Sequence, residues 1–545
     1  MRRLSIYRPL GVLALGAAVL FPACRLIAPT PEPTSTITPS KALPTFTQRP
    51  VESTPQAKIT SAPEISATTS PDNQVELLAD AGPQAAMLPS ARADLPALSE
   101  LNRYNIQVDI DYAGHSFNGT QIVDITNQET VPLDSLFFRL LPNGGKSYGG
   151  GSLDVSRIAV DGQEVPGKLS LSDSVLEVPL AQPLAIGESV QVELDFSGVI
   201  PVDFEEDASG ESGYGIYNFT DGVLALSGWY PILAVYDEDG WNLDSVSAIG
   251  DSVYSDTAVY TVDMTTSEDV VIATTGVQVE AGENPLYISG PVRDFFLIMS
   301  PEFEVASQES QGVRVNSYYL PGNDEAGQKA LEVAVESLVI FSERFGAYPF
   351  AELDVVEAPM QNALGVEYPG IVLISSDHYD DPTDISFPIT VAHEVAHQWW
   401  YSVVGNDVFE EPWLDESLAT YSSNVYLQQA MGEDTYEGYL SHWLQSLYDL
   451  RVEGQDDVVT RSLSYFEDPD TLASYGAVVY NKGALFFDVL RQEIGDEAFF
   501  NGLQSYYQDH KYGIAHTDDL LDAFESAAGR QLDDLYQEWL YSAQE

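Results

Sequence analysis

The hydrophobic period changes once along the chain, near residue 310, and this change limits the possible folds more than any other feature. Up to that point apolar residues recur at every second position: Tyr104, Ile106, Val108, Ile110 and Tyr112, then Val190, Val192, Leu194 and Phe196, then Ala258, Tyr260, Val262 and Met264. Strict alternation places these side chains on one face of a strand. Turns rich in Gly, Asp and Asn separate the runs, so an all-β sheet or sandwich domain is expected over about 98–308. Beyond Pro321 the period becomes helical, with apolar residues at 331, 334, 335, 338 and 341 and a stop at Gly346. Two short strands (Leu353–Glu357 and Gly370–Ile374) interrupt a reading that stays helical to Trp539 and Leu540. The expected fold is therefore multidomain α+β. An N-terminal all-β domain is followed, over about 309–545, by an α-rich domain with a small sheet.

The length of 545 residues suits two folded domains with additions. Acids outnumber bases 84 to 23, a formal net charge of -61, which excludes a basic nucleic-acid footprint. The single cysteine, Cys24, excludes an intrachain disulfide, a CxxC pair and a cysteine-rich zinc cluster. Arg2, Arg3 and Arg8 precede an apolar run from Leu10 to Phe21, too short to span a bilayer and suited to a signal-peptide core. Ala23-Cys24 resembles a bacterial lipoprotein cleavage site. Residues 1–23 are thus expected to be a signal peptide and Cys24 a lipid anchor on an exported cell-surface protein, with plain secretion as the alternative. From Pro29 to Pro96 the chain carries 12 of its 32 prolines. Residues 24–97 are expected to form an extended Pro/Ser/Thr-rich tether.

The chemistry is carried by His393-Glu394-Val395-Ala396-His397. On a helix, residues four apart share a face, so both imidazoles can hold one metal ion. Glu394 lies beside that face and can reach a water there without being a ligand. This is the HExxH pattern of zinc peptidases. The metzincin form would need Gly at 400 and His at 403; those positions hold Trp400 and Val403. Catalytic zinc takes three protein ligands and water. The third candidate is Glu416, in Pro412-Trp413-Leu414-Asp415-Glu416, separated from His397 by eighteen residues.

This arrangement resembles the aminopeptidase N family of gluzincins, relatives of leukotriene hydrolase. Tyr348-Pro349-Phe350 after Phe345-Gly346 resembles the family's entry to its catalytic domain, and Tyr480-Asn481-Lys482-Gly483-Ala484 its Y-x-K-G-A segment. The resemblance implies a saddle-like β domain, a thermolysin-like catalytic domain and one zinc ion held by His393, His397 and Glu416. It implies removal of N-terminal residues from peptides with a free N-terminus. Glu394 would be the general base, and Tyr480 would donate to the oxyanion, with Tyr475 as the substitute. Ala363 to Gly370 corresponds to the family's G-A-M-E-N segment, of which the Gly365 and Glu367 positions read naturally. These two are the expected substrate-binding residues, Glu367 anchoring the free amine. Asp221 is the candidate for a second amine-binding group from the β domain. The sequence ends near the close of the family's catalytic domain, which reads as a short form lacking the large C-terminal helical domain.

Two rivals follow from the same residues: an endopeptidase or other hydrolase on this site, or a catalytically dead surface-binding protein. The acidic runs at Asp377, Asp380, Asp381 and Asp384, and at Asp237 to Asp239, lack EF-hand spacing and read as solvated loops. Trp399 and Trp400 read as helix packing.

Overall fold

The computed structural model describes residues 82–145, 148–203, 214–251, 253–279 and 284–544. The expected signal peptide and Cys24 lie outside them. In the β domain, one eight-stranded sheet runs in the order Val277–Val279, Leu286–Val292, Ala258–Thr266, Asn102–Asp111, Ser116–Thr126, Ser189–Val199, Ser152–Val160 and Gln163–Glu164. The alternating runs build its centre. Asn102–Asp111 pairs in parallel with Ala258–Thr266 and antiparallel with Ser116–Thr126, and Tyr104, Ile106, Val108 and Ile110 are all buried. Among the described residues two four-stranded sheets and a two-stranded one (Tyr236–Asp237 with Gly240–Trp241) complete this half, and a buried aromatic group of Tyr104, Trp229, Tyr230 and Tyr260 packs within it.

The catalytic half opens with a five-stranded sheet in the order Glu304–Ser310, Val313–Tyr319, Glu352–Ala358, Ile371–Ser375 and Gly365–Tyr368. Its first strand crosses the boundary expected at 308, because Val313–Tyr319 pairs in parallel with Glu352–Ala358 and joins it to the catalytic side. Helix α1 (Asp324–Arg344) buries Leu331, Ala334, Leu338 and Phe341, its helical-period face. The site is carried by α2 (Ser386–Ala396) and α3 (Trp413–Tyr426), followed by α4 (Glu433–Glu453) and α5 (Gly483–Ile494).

The end of the expected tether does not behave as one. Met87 is buried and bridges to Phe350, Leu88 N donates to Pro349 O, and Ala351 N donates to Ala86 O. Leu88, Ala91, Leu95 and Leu98 pack on the core, and Asp94 pairs with Lys511 at 2.8 Å. The high proline content of the whole segment obscured this short apolar run, which has enough surface to dock.

A buried arginine joins the two halves. Arg293, at the end of a β-domain strand, donates to Tyr401 O at 2.7 Å, to Ser255 O at 3.1 Å and to Gly513 O. A Cβ on Gly405 would collide with its guanidinium, so only glycine lets the catalytic backbone approach this closely.

Candidate active site

Ser386–Ala396 is apolar on nearly every face, as a helix packed on all sides must be, and nine of its residues are buried. His397 caps it while still helical, so the two imidazoles stand one above the other with Nε2 atoms 3.1 Å apart. Pro412 precedes the first turn of α3, where its missing N–H costs nothing. That turn delivers Glu416, whose Oε2 lies 3.2 Å from His393 Nε2 and 3.5 Å from His397 Nε2.

These three separations match the edges of a tetrahedral site. Ligand bonds of about 2.0–2.1 Å place donor atoms roughly 3.3 Å apart. Glu416 Oε2 is buried with no hydrogen-bond partner, as a donor oxygen awaiting a cation would be. His397 Nδ1 faces Trp400 O at 3.0 Å, which fixes the ring and leaves Nε2 bare; His393 Nδ1 lies 3.5 Å from Thr420 Oγ1. The donor set fits zinc. Burial would lower both histidines. The adjacent Glu416 carboxylate outweighs it at His397, which rises to about 10, but not at His393, which stays below its usual value. The two rings hold Glu416 well below the carboxylate range against the effect of burial.

Glu394 lies one residue from the first imidazole. Burial pushes it up to about 8, with His397 opposing and Glu416 and Asp251 adding to the rise. Its Oε2 has no hydrogen-bond partner among the described residues. A Cβ at Gly365 would collide with its carboxylate, so this glycine provides the space in which the base sits. Gly365 and Glu367 share the edge strand Gly365–Tyr368, which is locked to the ligand helix by Gln398. The Gln398 side chain accepts from Gly370 N at 2.7 Å and donates to Tyr368 O at 2.9 Å.

Glu367 is buried with Oε1 unpaired, and burial raises it well above its usual value, reinforced by Asp251, Glu394 and Glu416. It shares a side-chain hydrogen bond with Asp251. Burial and Glu416 bring Asp251 up to about 6. Asp251 was not singled out from the sequence. It comes from a β-domain loop held at Glu467, which accepts from Ser247 Oγ and Ala248 N, and by Tyr214, whose hydroxyl donates to Ala248 O. The candidate from the sequence, Asp221, lies elsewhere, at an exposed positive-φ turn between Tyr217–Thr220 and Val223–Leu226. The only hint of Asp251 in the sequence was a glycine-acid pair in a long loop.

Tyr480 donates its hydroxyl to Glu416 Oε1, and its ring stacks 6.0 Å from that of His393. Tyr475 sits behind it, edge to face at 5.7 Å. Of the two tyrosines, Tyr480 is the one whose hydroxyl meets the donor triangle. Trp399 and Trp400 are buried and donate to Gly346 O and Ser422 Oγ, which is packing. The acidic runs cap their own turns: Asp239 N donates to Asp237, and Ser386 N to Asp384.

A β-rich half leads into a helical half that carries a His-His-Glu donor triangle, the donor set of a gluzincin-type zinc site. Residues 329–539 match the peptidase family M1 domain. The chain is 29% identical over 264 residues to aminopeptidase N of Streptomyces lividans, covering 45% of this chain and 30% of that protein. It is 25% identical over 475 residues to aminopeptidase M1-A of Oryza sativa subsp. japonica, covering 82% and 51%. The chain thus spans about half the length or less of these curated relatives. The M1 zinc metallopeptidase of Deinococcus radiodurans shares the fold, with a TM-score of 0.61 at 20% identity, covering 82% of this chain and 94% of that one. A mutant of that protein bound to a Tyr-Ser-Ala substrate gives 0.60 at 21% identity, covering 82% and 95%.

Proposed function

We propose that this chain is a zinc-dependent aminopeptidase that removes N-terminal residues from peptides. The observation carrying this reading is the Glu367–Asp251 pair beside Glu394. A buried carboxylate, Glu367, sharing one hydrogen bond with the half-buried Asp251 is costly unless a cation meets the pair, and the ammonium of a free N-terminus is such a cation. Zinc held by His393, His397 and Glu416 would supply Lewis acidity to the scissile carbonyl and lower the pKa of water. Glu394 takes the proton of the attacking water and returns it to the leaving amine. The Tyr480 hydroxyl donates to the oxygen on which negative charge develops. Glu367 and Asp251 hold the ammonium, so the bond presented to Glu394 is the first one of the peptide. The test is a pair of fluorogenic peptides, free and N-acetylated, with and without chelator. The free peptide should be cleaved far faster. Equal rates would leave an endopeptidase on the same zinc site.

We further propose that the protein is exported and tethered by a lipid on Cys24. Support comes from the basic start, the apolar run Leu10–Phe21 and Ala23-Cys24. Among the described residues no helix is long and apolar enough to cross a membrane. Cys24→Ser should move the protein from the membrane fraction to the soluble one; an unchanged distribution would remove the anchor.

A further inference from the structure

Tyr480 stands in a π-helical turn, Gly476–Lys482, immediately before α5. Such turns are rare because their hydrogen bonds are poorer than those of an α-helix, and they persist where neighbours hold them. Here each residue adjoining Tyr480 is tied down. Ser417 Oγ, one residue from Glu416, donates to Val479 O at 2.6 Å. Asn481 Nδ2 donates to Ser446 Oγ at 3.0 Å. A Cβ on Gly483 would collide with Ser417 Oγ, which sets how closely the turn approaches α3.

The strongest tie is Lys482. Its side chain is wholly buried, and Nζ donates to Asp456 Oδ1 at 2.6 Å, to Asp457 O at 2.6 Å and to Ser542 O at 3.0 Å. All three ammonium protons are used. Asp456 is held in turn by Arg451 Nε at 3.2 Å and by Gln544 N at 3.0 Å, and Val459 N donates to Leu540 O at 3.0 Å. Two segments far apart in sequence thus form one socket behind the turn. A buried ammonium is costly to place, and this one touches neither the donor triangle nor the acids of the amine pocket. Its socket constrains the backbone that carries Tyr480.

We propose that Lys482 is a positioning residue: its three-acceptor socket fixes the π turn so that the Tyr480 hydroxyl is held at Glu416, where the oxyanion forms. This rests on the reading of Tyr480 as the oxyanion donor. The full zinc-loaded chain is compared as wild type, Tyr480→Phe, Lys482→Met, Asp456→Asn and Tyr480→Phe/Lys482→Met. Lys482→Met should lower kcat at least about tenfold, with KM within about threefold and zinc content unchanged. In the Tyr480→Phe background the same change should cost less than about twofold, since no hydroxyl remains to be misplaced. Hydrogen exchange on the metal-free chain should speed up across 479–483 in Lys482→Met and stay unchanged across Ser386–Ala396. Asp456→Asn, which keeps the shape of the socket, carries the same comparison if Lys482→Met does not fold. An equal loss in both backgrounds, or unaltered exchange at the turn, would overturn the proposal. A wild-type kcat in Tyr480→Phe would instead remove the reading of Tyr480 itself.

Discussion

The metal side and the amine side of the active centre are built differently. The donor triangle comes from two consecutive helices, and its spacing is set by helical geometry: imidazoles at positions four apart, then a helix start that delivers Glu416. The proposed amine side spans both halves. An edge strand of the catalytic sheet supplies Gly365 and Glu367, and a β-domain loop supplies Asp251. The first is a local device that can act wherever the helices fold. The second exists only when the two halves meet. Variants on the metal side should therefore remove reaction capacity, and variants on the amine side should change which peptides are used.

The largest loss should follow removal of the ion. His393→Ala or a chelator should abolish turnover, with about one zinc per wild-type chain by metal analysis. Glu394→Gln should retain the zinc and lose about a hundredfold to ten-thousandfold in kcat. Full activity in Glu394→Gln would sink the mechanism. Next comes Tyr480→Phe, expected to cost about a hundredfold or more in kcat with little change in KM. If Tyr475→Phe produces that loss instead, the register is wrong.

On the other side, Glu367→Ala and Asp251→Asn should each weaken cleavage of a free-amine peptide while sparing its acetylated twin, so the preference shrinks by about tenfold or more. Loss of activity toward both peptides alike would show that the pair serves the metal and not the amine. Asp251→Asn decides whether the β domain contributes to specificity at all.

The smallest effect concerns Asp294, a β-domain acid beside Tyr401. Burial raises it to about 7 from the usual 3.8. Below pH 3.8 it is protonated in the folded and unfolded chain and costs nothing. Between 3.8 and 7 the unfolded chain ionises first, so the penalty on folding grows; above 7 it is constant. Asp294→Asn should thus stabilise the protein by about 1 kcal/mol at pH 8 and hardly at all at pH 4, with kcat unchanged. Thermal unfolding at the two pH values checks this; an equal gain at both would assign the effect to packing.

The same contrast explains what could be read from the sequence. His393, Glu394, His397 and Glu416 were legible because a helix converts spacing directly into direction. The alternating strands and α1 were legible for the same reason. Tyr480 and Glu367 needed the family resemblance, since each reaches the centre across the fold. Asp251 was not singled out, because a loop has no period to show where its side chains go. The strand Glu304–Ser310 runs across the boundary expected near 308, because strand patterning does not name the partner. The packing of Met87 was missed because proline count describes a segment's average and not its last few apolar residues.

Arg293 has a consequence for how far this molecule can be taken apart. The family domain matches only 329–539, which invites treatment of that stretch as a portable unit. Yet the carbonyls of Tyr401 and Gly513 within it take their hydrogen bonds from a side chain upstream of that stretch. Cut away the front half, and Tyr401 O loses its Arg293 donor, Gly513 O keeps only that of Gly405 N, Gly405 faces an empty slot and Asp251 is gone. The unit of sequence kinship is therefore smaller than the unit of cooperative folding. A fragment starting near 309 should be recovered insoluble or partly unfolded, while one starting at 82 should unfold in a single transition.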